Sequence, residues 1–140
     1  MITNPKNGWC NFKLRDFQGT PSYLTDVVVD LLNAFINYYT NGYGVAVFDE
    51  EGSEFTLLLT YYNSGVFIIE QKDKTILHDF SDTAPDYLAI ELLNDIQRDL
   101  DGWYNFLPFS DEKEVERYKH EVDKKIDELK KILNVKRGKQ

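Results

Sequence analysis

One cysteine and two histidines limit the chemistry open to this 140-residue chain. A nucleophile needs a base within hydrogen-bond reach, and Cys10 with His78 or His120 is the combination on offer. Cys10 falls on the apolar phase of an alternating stretch and His120 within a run of charges, so the spacing favours a structural cysteine. His78-Asp79 with Asp82 carries ligand types of metal-dependent hydrolysis. A coordination shell of that kind needs further histidines, and the expectation is no metal. Asp99-Leu100-Asp101-Gly102 compares with a calcium loop, but aligning its glycine puts Gln97 at the first ligand position and Pro108 at the twelfth. Gly42-Tyr43-Gly44 lacks the third glycine of a dinucleotide loop and precedes a strand where that loop needs a helix. The reading is therefore no catalytic residue and no cofactor.

Two acidic constellations point to binding instead. Glu91, Asp95 and Asp99 stand four apart on an expected helix, which sets three carboxylates in a row able to meet a cationic partner. The second joins Asp49, Glu50, Glu51 and Glu54 of a hairpin to the tyrosines Tyr43, Tyr61 and Tyr62. Tyrosine offers contact area at low entropic cost and carboxylates steer a basic partner, a mixture common in protein interfaces. A solvated charged turn above core tyrosines is the plainer reading of the same residues.

The elements that must position these groups can be read from periodicity. Cys10, Phe12 and Leu14 alternate with polar residues as a half-buried strand does. Thr25 or Asp26 can cap a helix whose apolar face is Val28, Leu31, Leu32, Phe35, Ile36 and Tyr39, ending at Asn41-Gly42. From Tyr43 to Phe80 short apolar runs form an antiparallel meander, with hairpin loops at Gly52, Gly65 and Lys72-Asp73-Lys74. Phe55, Leu57, Leu59 and Tyr61 share one face, and Val66 to Ile69, apolar in both phases, reads as a central strand. Thr83 with Asp86 suggests a capping box for a second helix running to Trp103, with Gly102 supplying a left-handed residue near its end. Val115, Tyr118, Val122, Ile126, Leu129 and Leu133 mark a seam along a last helix of about 36 Å. The expected fold is α+β: an antiparallel sheet of about five strands with three helices mainly on one face. It forms one domain over residues 1–135 and a frayed basic tail over 136–140. The terminal seam is expected to dock on the sheet of its own chain.

The bulk numbers agree with a globular fold, at 42% apolar and 14% aromatic residues. No apolar run reaches the ~20 residues of a membrane span, and no basic-then-apolar leader opens the chain. With the lone cysteine, this sets cytoplasm as the expected compartment. The net charge of −8 is uneven: residues 1–110 hold sixteen acids against six bases, a balance of −10, and the last thirty hold eight against ten, or +2. Such a body repels phosphate, so no nucleic acid is expected. It attracts a basic protein.

This profile, a short acidic domain without an assembled active site, resembles bacterial toxin-immunity proteins, including those of contact-dependent inhibition systems. The resemblance implies a monomer that binds a basic toxin, such as a nuclease, and occludes its active site. Two other classes stand beside it: an enzyme whose carboxylates assemble only in the fold, and a regulatory module docking or dimerising through the last helix.

Overall fold

The computed structural model describes residues 1–62 and 65–138, with side chains as far as residue 135. Its strands form two antiparallel sheets. The first contains β1 (Ile2–Lys6), β2 (Trp9–Leu14) and β3 (Phe17–Gly19) in that order; the second contains β4 (Tyr43–Asp49), β5 (Glu54–Thr60), β6 (Gly65–Gln71) and β7 (Thr75–Asp79) as a meander. The helices are α1 (Val27–Asn41), α2 (Pro85–Arg98), α3 (Leu100–Tyr104) and α4 (Glu112–Gly138). The chain is α+β as expected, but among the described residues seven strands in two sheets replace one sheet of about five, and four helices replace three.

The extra strands lie in the first sheet, where local sequence is least strand-like. β1 is short, contains Pro5 and has a register shift between Thr3 and Lys6, so it carries no clean alternation. What makes it a strand is the turn after it. Asn7 and Gly8 both have positive φ, 55° and 77°, which matches a type I′ hairpin and folds Ile2 back onto Phe12.

The meander follows its periodicity closely. Phe48, Phe55, Glu70 and Ile76 lie in one cross-strand row, and Ala46, Leu57, Ile68 and His78 in the next. Ala46, Phe48, Phe55, Leu57, Leu59, Val66 and Ile68 of this face are buried. α1 covers the face at β4 and β5. Gly44 permits that approach, because a Cβ there would lie 1.8 Å from the carbonyl oxygen of Ala34. The three-stranded sheet covers the hairpin end through Phe12 and Phe17, whose rings meet Phe55 at 4.9 and 5.0 Å. Gly65 opens β6 instead of turning the hairpin, and Asn63 and Ser64 lie outside the described residues.

The ends of α1 follow expectation, and the later helices depart from it in three places. Asp26 caps α1 by accepting from Val29 N–H at 3.1 Å, and Gly42 closes it at φ 90°. Ala84 is the cap residue of α2, without a side-chain bond, because Pro85 takes the first helical position. Thr83 is left buried, its hydroxyl without a partner among the described residues. The second helix stops at Asp99 and restarts as α3, so Gly102 sits within α3 instead of in a left-handed cap. Tyr118, Val122, Ile126, Leu129 and Leu133 of the terminal seam are buried, but α4 lies on α1 and not on the sheet, since α1 already occupies that face. α4 continues through Gly138 where a frayed tail is expected, and residues 139–140 lie outside the described residues.

Candidate protein-interaction surface

The residues with catalytic potential do not converge. Cys10 is buried, and burial pushes its thiol up to about 12, far from a reactive thiolate. His120 is exposed on α4. His78 lies on β7 with its Nε2 3.1 Å from Glu70 Oε1, and this hydrogen bond holds the Glu70 carboxyl below its ordinary range. Asp79 turns away to accept from the backbone and hydroxyl of Ser81, and Asp82 pairs with Arg15 at 2.8 Å. Among the described residues no three His, Cys, Asp or Glu side chains are grouped to hold a metal.

The acidic row of α2 is engaged inside the chain. Glu91 and Asp95 receive the Met1 amino group at 2.5 and 2.6 Å, and Asp95 also accepts from Ile2 N–H and from Arg98. With its side chain 6% exposed, Asp95 holds β1 against α2 and presents no carboxylate to a partner. Asp99 leaves the row altogether. It ends α2 and caps α3 by accepting from Gly102 N–H at 3.2 Å. A cleft of about 730 Å³ opens beside these groups, with Leu14 and Leu88 among its apolar lining and Arg15, Tyr87 and Asp82 among its polar lining. Each of its carboxylates, Asp82, Glu91 and Asp95, is already paired with a cation.

The second constellation reaches the surface, with Glu51 and Glu54 exposed and Asp49 and Glu50 half-buried, but its two halves are separated. Asp49, Glu51 and Glu54 stand at the β4–β5 turn, while Tyr43 and Tyr61 stand at the opposite end of the same strands. Tyr43, Tyr61 and Tyr62 are 60%, 72% and 84% exposed, so they are not core tyrosines. Glu50 differs from its neighbours. Its carboxylate accepts from Thr20 N–H at 2.8 Å and from the Ser53 hydroxyl at 2.9 Å, tying the turn to the first sheet.

Between the two ends lies the outer face of the sheet, which the sequence reading does not single out. Val45, Leu58, Phe67 and Asp79 form one cross-strand row, and Val47, Thr56, Ile69 and Leu77 the next. Among the described residues no helix packs on this side: Val45, Val47 and Leu77 are exposed, and Leu58, Phe67 and Ile69 are half-buried. The result is an apolar floor with acids at one end and tyrosines at the other. No family model, curated protein or solved structure matches the chain. Function must therefore be argued from this surface.

The signal for the outer face was present in the sequence as the second phase of each strand. Val45 and Val47 alternate with Ala46 and Phe48, and Leu58 with Leu57 and Leu59. Apolar residues in both phases suggest cover on both sides, and the fold supplies it on one.

Proposed function

We propose that this chain is a protein-binding domain that takes a basic partner on the outer face of the β4–β7 sheet, and that it acts as an immunity protein, occluding a toxin. The observation that carries the reading is the uncovered apolar face. A sheet face with Val45, Val47 and Leu77 exposed and Leu58, Phe67 and Ile69 half-buried beside them presents contiguous apolar surface, the property that marks interaction sites on folded proteins. The acids at one end fix the sign of the partner. Asp49, Glu51 and Glu54 attract lysine and arginine, and Tyr43, Tyr61 and Tyr62 provide rigid contacts at the other end. Occlusion by such a surface requires no chemistry from the domain. The row Glu91, Asp95 and Asp99 is no part of this interface, because its carboxylates serve the chain internally.

The test is binding to the product of the neighbouring reading frame, where the toxin of an immunity protein is encoded. The double variant Glu51→Lys/Glu54→Lys is expected to slow association about tenfold at low salt and flatten its salt dependence, with dissociation little changed. Val47→Asp is expected to speed dissociation at least tenfold, by placing a charge in the apolar centre. A neighbouring product that does not bind would remove the immunity reading. A complex indifferent to Val47→Asp would move the interface off this face.

A further inference from the structure

β7 is the outer strand of its sheet and, among the described residues, pairs only with β6. Phe80 N–H donates to the Val66 carbonyl at 2.7 Å in the register that pairs His78 with Ile68 and Ile76 with Glu70. In an antiparallel ladder the hydrogen-bonded positions alternate, so Ile76, His78 and Phe80 direct their backbone groups to β6. Thr75, Leu77 and Asp79 direct theirs outward. Among the described residues these outward groups meet no backbone partner. The opposite edge is treated differently, since the Asp49 carbonyl of β4 accepts from Ser22 N–H at 2.8 Å. β7 has neither proline nor bulge, and Leu77 on it is 62% exposed. An edge of this kind is a template for another strand.

We propose that β7 pairs antiparallel with β7 of a second copy of this chain, about a two-fold axis at Leu77. The outward groups then match: Thr75 faces Asp79 of the second copy, Leu77 faces Leu77, and Ile76 lies opposite His78. Thr75 can donate its hydroxyl to the Asp79 carboxylate. The pairing also sets the Lys72-Asp73-Lys74 turn of each copy beside the Asp79 to Asp82 segment of the other, base against acid. The neighbouring registers are worse. Shifting one way opposes Asp73 to Asp79 and Lys74 to His78, and shifting the other way sets Leu77 against Asp79. A self-complementary patch of this sort is what a two-fold interface requires.

One pair of short strands buries less than the ~1,200 Å² at the lower end of stable interfaces, so the dimer is weak and concentration-dependent. Each copy carries −8, so added salt strengthens it by screening repulsion. The outer face remains open in this dimer, and the inference does not depend on the immunity reading.

Sedimentation velocity over a concentration series, in about 0.05 M and about 0.5 M NaCl, should show a monomer–dimer equilibrium that shifts toward dimer at high salt. Leu77→Lys, at an exposed position, should remain monomeric with an unchanged melting temperature, because it places like charges together at the axis. Leu77→Cys reports the register directly, since opposed residues in a hydrogen-bonded antiparallel pair have Cα atoms about 5.5 Å apart, within disulfide range. Mild oxidation should link Leu77→Cys into dimers while Thr75→Cys, facing Asp79, links at least tenfold less. A chain that stays monomeric at every concentration and salt overturns the proposal. So does a dimer that survives Leu77→Lys, or cross-linking equal for the two cysteine variants.

Discussion

Asp30 shows how a single carboxylate can work against the fold that holds it. It is half-buried on α1, and burial, followed by the neighbouring charge of Asp26, pushes its pKa up to about 6 from 3.8. Between those values the folded chain holds a proton that the unfolded chain has released, so this group's contribution to stability falls as pH rises through the window and is level above it. Asp30→Asn removes the effect. Urea unfolding of the variant and the parent should agree near pH 4 and differ at pH 7, the variant being more stable by on the order of 1 kcal/mol once solvent screening is allowed for. A variant less stable at pH 7 would show that the charge is compensated. Asp26 is also raised by burial, although the Tyr118 hydroxyl and Val29 N–H donate to it and pull the other way. None of this was legible at Asp30 or Asp26 beyond the capping role of Asp26. Sequence spacing reports neighbours along a helix, whereas Tyr118 arrives from 92 positions away. Asp95 teaches the same lesson, since its i, i+4 spacing with Glu91 suggested a row able to meet a cationic partner and the Met1 amino group fills it.

At the scale of elements, the strands and helices with strong periodicity were legible, and those held by turns and partners were not. β5 alternates Phe55, Leu57 and Leu59 because one phase meets α1 and the first sheet, and such a pattern survives in any context. β1 and β3 have no such pattern and exist because β2 offers them a ladder. The Asn7-Gly8 dipeptide was the signal that could have found the first hairpin. Gly44 marks the tightest joint between elements. It sits in β4 where α1 crosses, and Gly44→Ala would press a methyl into the Ala34 carbonyl. The expected cost is about 3 kcal/mol or more, because a backbone oxygen cannot rotate aside as a side chain can. Thermal unfolding of Gly44→Ala measures it, and an unchanged midpoint would mean that α1 can shift freely on the sheet.

Considered as a whole, the molecule is asymmetric about its larger sheet. The inner face carries α1, and α4 lies on α1, while among the described residues no helix packs on the outer face. The last helix is therefore a cover for α1. Deleting residues 111–140 would expose the apolar surfaces buried at Tyr118, Val122, Ile126, Leu129 and Leu133, together with the α1 side they meet. At roughly 1.5–3 kcal/mol per buried side chain this loss is comparable with the entire stability of a domain, and the truncated chain should bind a hydrophobic dye and lose cooperative unfolding. Retained cooperativity would show that α1 and the sheets suffice. The sequence by itself determined the α+β class, the meander, the long final helix and the concentration of acid before residue 110. All of these depend on local periodicity or on composition, which need no knowledge of neighbours. Tertiary structure decided which phase of each strand stays bare, that the acids of α2 are spent inside the chain, and that the acidic turn and the tyrosines sit at opposite ends of one apolar face. Those outcomes depend on which surfaces meet across long stretches of chain, and a strand that is apolar on both sides carries no mark of the side that will be left open.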